Sequence, residues 1–325
     1  MARPKRRSAG QISGENLVIE VTWMYYNDGL NQQEIAQRLG VSRATVANYL
    51  QEARERGYIK ISLHDSAFTN HRLAKDICDR FGLAAAYVLP DGAADTESVF
   101  RRVARGAAEW LPDLLTEGDM LGLAWGRTMY EMAGQSDPHP FENLTVVQLV
   151  GSMATPYGFT SEACSTRLAQ NLCAKCINLH VPAIVSRASL AESLRKEPII
   201  EAQLAFLEKC NKYVFSVGTC RADSHVVGSG LASLDDLALY VEKGAAGVVC
   251  GRFIDIDGKP IAGPMDERMI GIELDRLLSM EMGILVVPGH DKIGAARAAI
   301  RGGFVTHLVT SSGIAEAMLA SGSPT

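Results

Sequence analysis

The rhythm of apolar and polar positions changes once along this chain, between residues 64 and 70. Ahead of that point the period is helical. Over residues 15–27, Leu17, Val18, Val21, Met24 and Tyr25 recur at helical spacing and Asp28-Gly29 closes the segment, which predicts a first helix. Residues 31–55, NQQEIAQRLGVSRATVANYLQEARE, predict two more with a short turn between them. Asn31 followed three positions later by Glu34 is a capping box: the Asn side chain accepts from the Glu34 amide while the carboxylate accepts from the Asn31 amide. Ile35, Ala36 and Leu39 share a face, Gly40 offers the positive φ that ends a helix, and Ser42 caps the next, whose apolar face carries Val46 and Leu50.

Three helices with this turn predict a helix-turn-helix, in which the second helix of the motif enters the major groove of double-stranded DNA. Its leading residues, Ser42, Arg43, Ala44, Thr45, Ala47 and Asn48, are the candidate DNA contacts. Arg pairs bidentately with guanine, Asn with adenine, and the Ala44 methyl offers apolar contact. The alternating run Tyr58 to Leu63 predicts the wing of a winged helix, with Lys60 against phosphate, and RPKRR at residues 3–7 predicts a basic arm.

Residues 64–70 carry no period and predict a linker. Beyond them, helical segments (71–82, 96–111, 127–134, 161–174, 198–210, 233–243, 291–301, 312–320) alternate with short apolar runs (84–89, 119–124, 144–150, 177–181, 213–217, 246–250, 283–287, 304–309). Such alternation predicts an α/β domain with a mostly parallel sheet covered by helices. The expected division is a winged helix-turn-helix at 1–63, a linker at 64–70, and an effector-binding and oligomerisation domain at 71–325.

Composition narrows the picture. The 325 residues suffice for one small and one large domain, and 47% hydrophobic with 21% charged residues is globular. No apolar run reaches membrane-spanning length, and no apolar segment follows the basic N-terminus as in a secretory signal. Seven cysteines without a repeating spacing point to a reducing cytoplasm, and the Cys173/Cys176 pair reads as buried thiols within a helix. The net charge of −5 is uneven: residues 1–60 hold nine basic and six acidic residues, the remainder 23 and 31. The basic end is the DNA end, and its modest surplus favours an oligomer that presents several copies.

In open α/β sheets ligands bind where strands end in glycine turns and helices begin. The strand at 119–124, which contains Gly122, runs into Gly126-Arg127-Thr128 and a helix, so that amides, a cation and a hydroxyl can converge on a phosphate. Gly151-Ser152 and Val217-Gly218-Thr219 follow other strands in the same way. Val286-Val287-Pro288-Gly289-His290-Asp291-Lys292 leads into a helix with a cation in its first turn, where the helix dipole favours anions, so Lys292 is expected to face a bound anion. Ser233 with Asp236 is a second capping box. The seven histidines include no HxH or HExxH pair, and no metal or cofactor is expected.

Taken together, GLNQQEIAQRLGVSRATVANYLQEARERGYIKI, GLAWGRTM, GAAGVVCGRFIDIDG and KIGAARAAIRGGFVTHLVTSSGIAEAML, in that order along nearly the whole chain, resemble the SorC family of sugar-binding transcriptional regulators. The resemblance implies an effector domain similar in fold to sugar-phosphate isomerases such as glucosamine-6-phosphate deaminase. It also implies tetramers, commonly dimers of dimers, whose hold on an operator changes with a phosphorylated sugar. It assigns phosphate to the turn at Gly126, Arg127 and Thr128 and an anionic group to Lys292. Val248 and Ser311 stand where the family often has acidic residues. The alternative to a regulator is a sugar-phosphate isomerase or deaminase carrying a DNA-binding appendage, for which Asp255 and Glu162 are the candidate acids.

Overall fold

The computed structural model describes residues 14–59, 71–92, 94–153 and 158–320. The chain divides into two compact units, Met1–His64 and Asp65–Thr325.

The first unit is a three-helix helix-turn-helix, Gly14–Tyr26, Gln32–Leu39 and Arg43–Glu55. The predicted caps are formed: the Asn31 side chain accepts from the Gln33 and Glu34 amides at 3.0 Å each, and Glu34 accepts from the Asn31 amide at 2.8 Å. Gly40 ends the second helix at φ 67°, and Ser42 accepts from the Thr45 amide at 3.0 Å. Val21, Ile35, Ala36, Val46 and Leu50 pack together as its core. Of the expected wing, Tyr58 and Ile59 are described and lie in no strand, while Lys60 to Leu63, the linker at 64–70 and the arm at 3–7 lie outside the described residues.

The second unit is an α/β domain. Its strands are β1 (Ala85–Leu89), β2 (Met120–Leu123), β3 (Thr145–Gln148), β4 (Lys175–Ile177), β5 (Lys212–Phe215), β6 (Ala245–Val249), β7 (Arg252–Asp255), β8 (Met282–Val287) and β9 (His307–Ser311). Seven of them form one sheet, entirely parallel, in the order β1-β9-β8-β5-β2-β3-β4. Alternate strand residues go to opposite faces, as the two-residue period requires. Leu123, Val146, Val214, Ile284 and Val309 pack with Val103, Met132 and Leu168 of helices Thr96–Trp110, Arg127–Gln135 and Ser161–Asn171. Val147, Phe215, Leu285 and Leu308 pack with Ile77, Ala299 and Ile314 of helices His71–Phe81, Ile293–Arg301 and Ser312–Ala320. Helices therefore cover both faces, as a parallel sheet demands.

Three expectations are corrected. The run 246–250 does not join the main sheet: β6 pairs antiparallel with β7, an unpredicted strand, to make a separate ribbon. β4 lies at Lys175–Ile177, ahead of the apolar run 177–181, because it takes its register from β3, with Lys175 opposite Thr145. The Cys173/Cys176 pair is neither buried nor helical: the helix ends at Asn171, Cys173 is exposed with φ 51°, and Cys176 sits half-buried on β4. Helices Ala188–Arg195, His225–Gly228 and Leu274–Leu278 were also not predicted. Among the described residues no helix is long and apolar enough to cross a membrane, and no cluster of three or more His, Cys, Asp or Glu could hold a metal.

Candidate functional site

β2 and β5 are neighbours whose onward connections diverge, one to β3 and the other to β8, the far neighbour of β5. That divergence opens a crevice at their carboxyl ends. A cavity of about 570 Å³ occupies it. Its floor comes from the segments that follow β2 (Ala124 to Met129), β5 (Ser216 to Thr219) and β8 (Pro288, Gly289, Asp291, Lys292), and its walls from Arg221 to Ser229 and the tip of the β6–β7 hairpin.

That tip is a two-residue turn, Cys250 and Gly251, with φ 46° and 84°, the geometry of a tight hairpin. A side chain at Gly251 would strike Met269. Arg252, only 6% exposed, anchors the hairpin by donating to the Ile272 carbonyl at 3.0 Å and pairing with Asp266 and Glu273. Val248 is exchanged onto the floor through backbone bonds with Gly218 in both directions, 2.9 and 3.0 Å. A Cβ on Gly218 would lie 2.9 Å from Val226 and 3.1 Å from Val248, so glycine is what lets these three segments meet.

Gly126 leads into helix Arg127–Gln135 at φ 144°, and Thr128 is buried at the start of that helix. Arg127 lies at the mouth, over the Phe100 ring at 4.2 Å and paired with Glu97 at 2.5 Å. Lys292 is half-buried, and its ammonium donates to the Val217 carbonyl. Burial lowers its pKa, opposed by Asp291. His225 is held down to about 4, by burial first and then by the Lys292 charge, so it is neutral near pH 7. It belongs to an aromatic array with Trp125 at 5.8 Å and Phe159 at 6.2 Å. Of the three carboxylates that line the cavity, Glu97 is engaged by Arg127, and Asp223 by Arg221 through two bonds of 2.9 Å. The third, Asp291, is exposed beside Lys292.

The structure therefore brings Gly126, Arg127, Thr128 and Lys292 together, and it puts the other five candidates elsewhere. Gly122 is buried within β2 against Leu149, and Gly151 passes so close to the Val181–Pro182 backbone that a Cβ would lie 2.7 Å from it. Ser152 is tied by its amide to Val181 at 2.8 Å. Glu162 is half-buried; desolvation raises its pKa, but hydrogen bonds led by that from Ser152 outweigh it and leave the carboxyl below its usual range. Asp255 closes the β7 turn by accepting from the Asp257 and Lys259 amides at 2.9 and 2.8 Å. Of the two positions where acids were missing, Val248 lines the cavity, whereas Ser311 is buried in β9 and does not.

On the helix-turn-helix, Ser42, Arg43, Ala44 and Asn48 are exposed, while Thr45 and Ala47 are half-buried. Thr45 also meets Ser42 Oγ at 2.8 Å, which commits it to the cap. Arg43 Nε donates to Gln32 Oε1 at 3.3 Å, a steadying contact from the preceding helix that no local motif signalled. His225, Ser216 and Ser224 of the cavity were likewise missed, since they carry no motif and come together only through the topology.

A helix-turn-helix and an α/β unit with a ligand-sized cavity at its switch point define a protein that binds both DNA and a small molecule. The family profile described as "Putative sugar-binding domain" matches residues 65–320, and "Sigma-70, region 4" matches residues 20–56. The chain belongs to the SorC family of sugar-binding transcriptional regulators. It is 37% identical over 314 residues to the uncharacterized transcriptional regulator YjhU of Escherichia coli K12, covering 95% of this chain and 96% of that one. It is 30% identical to the transcriptional regulator LsrR of Klebsiella pneumoniae, covering 97% of each. The crystal structure of the full-length sorbitol operon regulator SorC from Klebsiella pneumoniae shares the fold, with a TM-score of 0.75 at 21% identity over 95% of this chain and 100% of that one.

Proposed function

We propose that this chain regulates a carbohydrate catabolic operon, and that a phosphorylated sugar or polyol in the cavity changes its hold on operator DNA. The observation that carries this reading is the meeting, in one cavity, of the Gly126–Thr128 helix start and the half-buried Lys292. Each favours an anion on its own: the helix start by its free amides and dipole, the lysine because burial leaves its charge poorly solvated. Apart from Glu97, Arg221, Asp223 and Asp291, the rest of the cavity is a mixture of apolar and neutral polar groups suited to a sugar body.

The working form is a cytoplasmic homo-oligomer, a tetramer built as a dimer of dimers, whose paired recognition helices grip two half-sites. Ser42, Arg43, Ala44, Ala47, Asn48 and, through the cap, Thr45 form the base-reading end, with Lys60 on phosphate. Effector binding shifts the population between two arrangements of the oligomer and so changes half-site spacing. The role is not catalytic. Asp255 and Glu162, on which an isomerase would depend, do not line the cavity; of the three acids that do, Glu97 and Asp223 are held by arginines, and Asp291 stands exposed beside the Lys292 charge.

The test is a thermal melt of the full chain against free and phosphorylated sugars and polyols. A ligand at one hundred times its dissociation constant adds about 2.7 kcal/mol. Shifts confined to phosphorylated compounds, which then alter operator binding in a mobility assay, support the reading; shifts by free polyols alone, or turnover of a bound sugar phosphate, overturn it.

A further inference from the structure

The anion-binding elements account for one end of the cavity, and two serines on its lining remain unexplained. Ser216 directly follows β5, at the centre of the crevice floor, and Ser224 stands in the wall just before helix His225–Gly228. Both hydroxyl oxygens are shut off from solvent, and neither has a hydrogen-bond partner. Ser224 is only 7% exposed as a residue. It occupies the N-cap position of its helix with ordinary cap dihedrals, φ −71° and ψ 156°, yet its side chain makes no cap bond. Serine is favoured at that position because it caps, and here the hydroxyl bonds to no protein group. A buried hydroxyl without a partner is costly, and rotation about its Cα–Cβ bond is the smallest movement that turns it into the cavity.

An apolar contact lies close to both serines along the chain. Ser216 and Ser224 are each two residues from the contact of Gly218, Val226 and Val248, with Val226 7% and Val248 3% exposed. A ligand hydroxyl pressed against Val248 would give up its water bonds and gain nothing.

We propose that Ser216 and Ser224 read the hydroxyls of the effector beyond its phosphate, and that Val248 selects a sugar phosphate whose carbon against it bears no hydroxyl. This rests on the sugar-phosphate reading above and adds to it which residues choose among sugar phosphates. Lys292 and the Gly126–Thr128 turn hold whatever anion enters; the serines and Val248 decide which carbon skeleton stays.

The experiment is calorimetric titration of the full chain and of S216A, S224A and V248N. The probes are inorganic phosphate and two matched pairs: ribose 5-phosphate with 2-deoxyribose 5-phosphate, and glucose 6-phosphate with 2-deoxyglucose 6-phosphate. The wild type binds a deoxy member more tightly than its partner. S216A and S224A each weaken the best-bound sugar phosphate about tenfold, the loss of one hydrogen bond, while inorganic phosphate binds them as it binds the wild type, which also verifies that the variants are folded. V248N brings the hydroxylated member level with or ahead of the deoxy member. Equal binding of the best sugar phosphate by the serine variants and the wild type overturns the hydroxyl-reading role. A wild-type preference for the hydroxylated member of both pairs, unmoved in V248N, overturns the role of Val248. Binding of sugar phosphates no tighter than inorganic phosphate overturns the sugar-phosphate reading itself.

Discussion

Lys292→Met separates the cost of the lysine from its use. In the structure the ammonium is half-buried and donates to the Val217 carbonyl, and burial lowers its pKa. Between that lowered value and the ordinary 10.5 the unfolded chain holds more protons than the folded one, so stability rises with pH through that window, and below it the charge weighs against folding. The substitution removes this burden near pH 7 along with one hydrogen bond, and the ligand-free variant melts no lower than the wild type. Effector binding changes in the opposite direction. A charge-assisted hydrogen bond to the anion is worth about 1.5–3 kcal/mol, a loss of about 10- to 150-fold in affinity. At a concentration one hundred times the wild-type dissociation constant, the wild type gains about 2.7 kcal/mol and a variant thirtyfold weaker gains about 0.9 kcal/mol. With about 2–4 °C per kcal/mol for a unit of this size, a ligand-induced rise of about 5–10 °C contracts to about 2–4 °C. Scanning fluorimetry of both proteins with and without the sugar phosphate reads both effects. A full ligand-induced rise in Lys292→Met refutes the anion role, and a steep fall in the ligand-free melt would mark the lysine as a structural strut instead.

Three further substitutions probe other parts of the molecule. His225 is held neutral by burial with a pKa of about 4 against 6.5 unfolded, so the stability of the wild type falls as pH drops from 6.5 toward 4; His225→Gln flattens that part of a melt-versus-pH profile. Arg43→Ala lowers operator affinity by about 1–3 kcal/mol in a mobility assay without moving the effector-induced melt shift, and Gln32→Ala, which frees the Arg43 guanidinium, gives a smaller loss in the same assay. Gly122→Ala sets a Cβ 2.5 Å from Cδ2 of the fully buried Leu149, which lowers stability by about 1–3 kcal/mol in urea unfolding and leaves effector affinity unchanged.

What could be read ahead of the structure was what is local. The caps at Asn31, Ser42 and Ser233 and the helix end at Gly40 depend on residues within four positions of one another, and all are formed. The parallel sheet was legible because its strands are apolar on both faces and separated by amphipathic helices. Strand partners were not. The β6–β7 ribbon owes its existence to a positive-φ pair, Cys250-Gly251, and to the distant Arg252 contacts with Asp266 and Glu273, none of which leaves a periodic trace. The same distinction divides the site. Gly126, Arg127 and Thr128 sit in a strand-turn-helix that announces itself, whereas Ser216, Ser224 and His225 meet them only because β5 inserts between β8 and β2. Gly122, Gly151 and Asp255 look like ligand glycines and a ligand acid by neighbourhood, but tight packing and turn closure account for them.

The cavity also indicates how a small ligand can govern DNA binding with little free energy to spend. Its lining is drawn from turns after three different strands and from a hairpin outside the sheet; under the proposed function, an effector that satisfies Lys292 and the neutral groups around it favours one mutual arrangement of those segments. A tenfold change in operator affinity needs about 1.4 kcal/mol of difference between arrangements, no more than one hydrogen bond made in one and missing in the other. Such coupling is reciprocal. Whatever factor the effector imposes on operator affinity, a saturating operator fragment must impose on effector affinity in the same direction. Titrating the sugar phosphate into the full chain with and without a selected operator fragment gives one factor, and titrating the fragment with and without effector gives the other. Agreement of the two factors is the expected result; effector affinity indifferent to DNA, beside operator affinity that falls with effector, would mean that the ligand acts on a species other than the one that binds DNA, and the two-arrangement account would have to be abandoned.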